Sequence, residues 1–252
     1  MMAWDNPTLS LQKCRSQRAD TTVAIVRAAT NAGTALVDGF AARSSKVLLI
    51  DHEPDAARCR QVPQIGAQRE YRLDMGVIGQ WRQIADDLAR RLEQIDLLII
   101  ITGSDSRGVA PVTDSPYDWL DAAAYREFLH DAGSAAVSSI FELLPAVAAT
   151  QGTVVVVAPN AAMTDAVSNP LATMFGFGLY GMVAGLAAPL HDLSVRIAAL
   201  LSIDGRLPET GTLMRMIDCI LATGKTGKCW TAERFSSGGE LQDAFPSLSA
   251  RQ

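Results

Sequence analysis

The residues whose side chains suit catalysis or metal binding are few and far apart in this 252-residue chain. Its three histidines, His52, His130 and His191, are far apart and lack H-x-x-x-H or H-E-x-x-H spacing, which argues against a zinc site. The four cysteines form no C-x-x-C pair, which favours reduced thiols in a cytoplasmic protein. The sequence therefore predicts neither a metal centre nor a redox dithiol.

Two short motifs resemble a phosphate-binding loop and a serine nucleophile elbow, but each lacks part of the required pattern. The "ATGKTGK" stretch contains the G-K-T of a phosphate-binding loop, but Cys219 stands where the first glycine belongs. It also follows a helix pattern, whereas such loops follow a strand. The stretch "GSDSRG" does not have the G-x-S-x-G order of a serine nucleophile elbow.

Four acids surround the loop after the fourth predicted strand: Asp105, Asp114, Asp118 and Asp121. They could form a paired-carboxylate site, because ligands of doubly wound sheets bind at this edge. They could equally be a solvated loop with a helix N-cap at Asp118 or Asp121. The sequence leaves both interpretations open.

The pattern of apolar residues predicts alternating strands and helices. The run "IDLLIIIT" is typical of a parallel strand buried on both faces. Strands are predicted at 22–26, 46–51, 69–75, 95–102, 152–160, 194–203 and 227–233, the last at an edge. Helices are predicted at 31–44, 78–94, 121–149, 170–190 and 214–224. This order predicts an α/β, Rossmann-like doubly wound parallel sheet with helices on both faces.

We expect a single domain over 21–252, preceded by a polar arm, 1–20, that has no apolar secretory core. A net charge of -5 argues against a nucleic-acid-binding face. The apolar segment 169–191 approaches the length of a membrane span. It contains Pro170, Pro189 and several glycines, so we predict a packed helix and no membrane insertion.

Laid end to end, these units resemble the short-chain dehydrogenase/reductase family from about residue 20 to 247. That family binds NAD(P) on the first half of its sheet. It transfers hydride with an Asn-Ser-Tyr-Lys tetrad, whose last two members form a Y-x-x-x-K motif. The resemblance implies the same fold, but the motifs of the family are altered here.

The family's T-G-x-x-x-G-x-G turn falls on "RAATNAGT", so its three glycines correspond to Ala28, Ala32 and Thr34. A Cβ at these positions obstructs the approach of a pyrophosphate to backbone amides at a helix N-terminus. A shift of one residue would bring only Gly33 into the motif. The resemblance therefore implies that this chain holds no NAD cofactor.

The resemblance places the catalytic asparagine near Ala132, the serine near Pro159, the tyrosine at Phe175 and the lysine at Leu179. The tyrosine needs a nearby ammonium to lower its pKa. No lysine occurs between positions 47 and 224, so no Y-x-x-x-K exists in any register of that region.

The family's N-N-A-G turn corresponds to Ile100, Ile101, Thr102 and Gly103. We expect Ile100 and Ile101 to fill the former nicotinamide site together with Pro159 and Phe175. Two acids remain at family positions. Asp51 ends the second strand, where an acid binds the adenosine ribose, and Asp74 follows the third, where an acid faces the adenine. Both acids could instead cap or solvate turns.

In this family, two long helices pack against their counterparts in a neighbouring subunit. The matching helices are 121–149 and 170–190, and we predict interface positions at Phe175, Gly178, Gly181 and Gly185. A charge-free helix is an aggregation hazard unless it is covered.

The chain thus resembles the inactive subunit of heterotetrameric 3-hydroxyacyl-CoA-type dehydrogenases. The resemblance implies an active paralogue that binds NAD, or a second copy of this chain, as the partner. The alternatives are a ligand-sensing or scaffolding pseudo-enzyme, and a homo-oligomeric enzyme with rebuilt chemistry.

Overall fold

The computed structural model describes residues 21–28, 30–43, 45–52, 69–102, 133–158, 170–201, 209–231 and 242–243. Their strands form one eight-stranded sheet with the order β3-β2-β1-β4-β5-β6-β7-β8. The strands are β1 Thr22–Val26, β2 Lys46–His52, β3 Arg69–Leu73, β4 Leu97–Ile101, β5 Thr153–Ala158, β6 Arg196–Leu201, β7 Lys228–Thr231 and β8 Gln242–Asp243. The helices are α1 Asn31–Ala41, α2 Ile78–Arg90, α3 Ala135–Ala148, α4 Pro170–Asp192 and α5 Thr210–Thr223.

Strands β1 to β7 are parallel, and helices cover both faces of the sheet. This confirms the predicted Rossmann-like single-domain fold. The prediction that 227–233 is an edge strand is wrong, because β7 also pairs antiparallel with β8. A two-residue strand carries no detectable periodicity, so β8 could not be predicted from the pattern of apolar residues.

The central strands are buried on both faces. All five residues of β4 are at most 3% exposed, and their side chains alternate between two hydrophobic cores. One core lies under α2, α3 and α4, and the other lies under α1 and α5. The continuous apolar run of β4 follows from this double burial.

Helix α2 presents Trp81, Ile84 and Leu88 to the first core, as its spacing predicts. The Trp81 indole N–H donates to the carbonyl of Met75 over 3.0 Å. The same spacing predicts Leu92 on this face, but the helix ends at Arg90. Leu92 follows in a left-handed conformation, with φ 55°, and is 88% exposed.

At the amino-terminal edge of the sheet, Glu93 joins two strands. Lys46, the first residue of β2, donates to Glu93 Oε1 over 2.7 Å, and Arg69, the first residue of β3, donates to Oε2. Burial raises the pKa of the Glu93 carboxyl, but the two cations outweigh it and hold that pKa below its usual value. The cluster lies at the sheet edge opposite to the one that binds ligands in this architecture.

The Glu93 cluster predicts an acid-dependent loss of stability. Folding lowers the pKa of the Glu93 carboxyl. The contribution of Glu93 to the free energy of unfolding is therefore fully present above its unfolded pKa of about 4.3, and it is lost as the pH falls through the folded pKa. We expect Glu93→Gln to reduce the free energy of unfolding by about 1 kcal/mol at neutral pH. In urea titrations, the difference from wild type should shrink below about pH 4.

Glu70→Gln is the matched control, because the Glu70–Arg72 pair is more exposed and lies within one strand. It should change stability less than Glu93→Gln. Equal effects of the two variants, or a Glu93→Gln difference that does not depend on pH, would contradict the assignment.

Gly33 is required by close packing. A Cβ at this position would lie 2.6 Å from the carbonyl oxygens of Arg27 and Ala28. We expect Gly33→Ala to lower the free energy of unfolding by about 1–3 kcal/mol, because backbone atoms must move. The same change at Gly79, where nothing lies within 4 Å, should be neutral or stabilising by up to about 1 kcal/mol. Denaturant midpoints of the two variants check this, and equal midpoints would refute it.

Candidate functional site

The topology defines one crevice. Strand order reverses at β1, which lies between β2 and β4, so the connections from these strands run in opposite directions. In open α/β sheets, ligands bind at such a switch point, beyond the carboxyl ends of the strands. The predicted remnants of a cofactor site lie here: the turn after β1, and the residues that end β2, β3 and β4.

The turn from β1 into α1 is closed by its own side chains. Thr30 caps the helix, and its Oγ1 accepts from the amide of Gly33 over 3.0 Å. Thr34 Oγ1 donates to the carbonyl of Thr30 over 3.0 Å. Ala28 and Ala32 are buried, with 1% and 8% exposure. The Gly33 amide is thus engaged by the cap, and methyl groups occupy two of the three positions matched to glycines.

Gly33 is explained by the packing of this turn. An added Cβ would lie 2.6 Å from the Arg27 and Ala28 carbonyl oxygens, so the tight entry into α1 requires a glycine. Arg27 itself adopts a left-handed backbone, φ 63°, directly after β1. The other non-glycine residues with positive φ in the described ranges, Leu92, Gln151 and Ser194, each follow a helix.

The two remnant acids have different environments. Asp74 Oδ1 accepts from the amide of Gly76 over 3.0 Å, and the Asp74 amide donates to Gln80 over 2.7 Å. Its carboxylate therefore shapes the turn between β3 and α2, which is the capping role considered above. Asp51, near the end of β2, is only 3% exposed. Of the two acids that the resemblance places near the adenosine, Asp74 thus forms a turn and Asp51 is buried.

The two isoleucines at the end of β4 do not share a cavity. Ile100 lies in the core under α2, α3 and α4, whereas Ile101 lies in the core under α1 and α5. Our expectation that both converge on one former nicotinamide site is wrong, because successive strand side chains point to opposite faces. Thr102 follows, is 1% exposed, and donates its amide to the carbonyl of Val157 over 2.8 Å.

Among the positions matched to the tetrad, Leu179 is described with its surroundings. It is 3% exposed and lies in the same hydrophobic core as Leu143 and Val183. Ala132, Pro159 and the side chain of Phe175 lie outside the described residues.

Helix α4 carries a second, exposed face. Gly178, Gly181 and Gly185 lie on it, and an added Cβ would meet nothing within 4 Å at any of them. Phe177 is 49% exposed beside Gly178. The spacing of the three glycines keeps them on one side of the helix, opposite the buried Leu179 and Val183.

Helix α3 also exposes apolar side chains. Val137 is 45% exposed and Phe141 is 54% exposed, one helical turn apart. The family resemblance predicts that this helix forms an interface, but these two residues were not among the predicted interface positions. The signal was present in the spacing, because Val137 and Phe141 lie one turn apart and off the face that carries the buried Ile140 and Leu143.

A groove of about 370 Å³ lies on the outer side of β3 and α2, lined by Tyr71, Arg72, Leu73, Gln80, Gln83 and Ile84. Strand β3 forms the edge of the sheet, so this groove lies two strands away from β1. The Tyr71 hydroxyl donates to Asp87 over 2.9 Å. Charged residues on β3 are typical of an edge strand protected against pairing.

The residues that the structure describes contain neither a candidate metal-binding cluster nor a helix suited to span a membrane. Within these ranges, no group of three His, Cys, Asp or Glu side chains could hold a metal ion. No helix found there has the length and apolarity needed to cross a membrane.

Comparison with solved structures defines the class of fold. A 3-ketoacyl-(acyl-carrier-protein) reductase from Brucella melitensis, complexed with NADH, superimposes with a TM-score of 0.70 and 15% identity, over 84% of this chain and 96% of that chain. A short-chain dehydrogenase/reductase from the same organism gives 0.67 and 16%, over 84% and 94%. The chain has the short-chain dehydrogenase/reductase fold.

Sequence comparison points to particular relatives. The chain is 28% identical over 174 residues to a cis-2,3-dihydrobiphenyl-2,3-diol dehydrogenase of Paraburkholderia xenovorans, covering 67% of this chain and 60% of that protein. An enzyme of the same name from Pseudomonas putida is 26% identical over 222 residues, covering 81% and 77%. The match thus spans about three fifths of the first relative. No family model matches the chain.

The closed turn predicts that the isolated chain does not bind NAD tightly. Titration with NAD⁺ and with NADH, followed by calorimetry or nucleotide fluorescence, should give no saturable binding in the micromolar range, because Thr30 already engages the Gly33 amide and side chains stand at the positions matched to glycines. An intact family member titrated in parallel provides the control. Micromolar binding to the isolated chain would overturn the prediction.

Proposed function

We propose that this chain is a non-catalytic subunit with a short-chain dehydrogenase/reductase fold, which assembles with an active NAD-dependent paralogue and supports it. The observation that carries the proposal is Leu179. It is a buried aliphatic residue where the resemblance expects the catalytic lysine, in a chain with no lysine between positions 47 and 224. Without an ammonium there, a hydroxyl on this helix keeps its high pKa and is a poor proton donor at neutral pH.

The cofactor side supports the same proposal independently. Thr30 and Thr34 occupy the turn with their own hydrogen bonds, and Asp74 is engaged by Gly76. An anion at the α1 N-terminus would have to displace the Thr30 cap from the Gly33 amide. NAD is therefore assigned to the partner subunit.

Helix α4 supports an assembly role. Each exposed glycine within a helix costs about 0.5–1 kcal/mol relative to alanine. Gly178, Gly181 and Gly185 carry this cost although an alanine would fit at each position in the subunit by itself. Small residues on one face allow two helices to approach closely, which would offset the cost in an assembled state. Val137, Phe141 and Phe177 would add larger apolar side chains to the contact.

The proposed assembly is a heterotetramer with the active paralogue, and self-association is the second possibility. Among known proteins of this kind, it is similar to 2-[hydroxy(phenyl)methyl]succinyl-CoA dehydrogenase. We propose a 3-hydroxyacyl-CoA as the substrate of the complex, supported by the resemblance of "TGKTGKCWTAE" to acyl-CoA-type members. The named relatives are dihydrodiol dehydrogenases, so assays should offer both substrate classes.

Co-expression with a paralogue that has an intact Y-x-x-x-K tests the assembly. We expect the two chains to co-purify in equal amounts, with NAD-dependent activity in the complex and none in this chain alone. Gly181→Ala should weaken assembly in size-exclusion chromatography, because a methyl group would separate closely packed helices. Gly178→Glu or Gly181→Glu should abolish assembly by placing a charge in the contact.

Gly211 provides the matched control, since it is an exposed helical glycine on α5 with nothing within 4 Å of an added Cβ. Gly211→Ala and Gly211→Glu should leave the oligomer intact. Wild-type assembly of Gly181→Glu would reject the interface, and so would a Gly181→Ala protein that gains about 0.5–1 kcal/mol of stability and still assembles as the wild type does.

Restoring the two catalytic side chains should not restore activity. We expect Phe175→Tyr with Leu179→Lys to reduce no NAD⁺ on either substrate class, because the phosphate turn is also altered. Leu179 is 3% exposed, so an ammonium there should cost several kcal/mol of stability. NADH absorbance measures turnover, and circular dichroism reports whether the variant is folded.

Leu179→Met is the control for the core position and should cost less than about 1.5 kcal/mol. Phe175→Tyr alone separates the hydroxyl from the cost of the buried lysine. Turnover above wild type in either tyrosine variant would show that the chain retains a working cofactor site and would refute the non-catalytic assignment.

A further inference from the structure

We draw no further inference here: the strongest candidate, the apolar surface formed by Val137 and Phe141 on α3 with the glycine face of α4, belongs to the interface already proposed, and nothing else in the structure shows what covers it.

Discussion

The double burial of the central strands is the constraint on which the rest of this structure depends. Residues of β4 and β5 are almost completely inaccessible, so each strand needs an apolar layer on both sides. Helices α1 and α5 supply one layer, and α2, α3 and α4 supply the other. The parallel order of the strands then brings their carboxyl ends to a single edge, where ligands bind in this architecture.

At that edge, the helix N-terminus still has to satisfy its amides. A cofactor pyrophosphate can do so in a glycine-rich turn, whereas here Thr30 accepts from the Gly33 amide. Asp74 similarly shapes the turn that leads into α2. The polar groups of this edge are thus used to hold the backbone, which explains how the fold can persist without the glycine motif.

Helix α4 combines two apolar faces with different physical roles. Leu179 and Val183 are core residues of the subunit, while Gly178 and Gly181 face outward. The position matched to the family's lysine and the proposed contact surface therefore lie on different sides of the same helix. Leu179 packs into the inner face without affecting the outer one, so the two faces can serve separate roles.

Local periodicity and composition were sufficient to predict the order of the strands and helices, the parallel sheet and the lack of lysine between positions 47 and 224. Which residues face one another depends on packing between distant elements, and the sequence pattern did not reveal it. The tertiary structure separates Ile100 from Ile101, exposes Leu92 beyond its helix, and pairs β7 with β8. Helix α4 shows the reason most clearly. A helix that is apolar all round has no polar stripe to mark its outside, and only the sheet beneath it determines which face is buried.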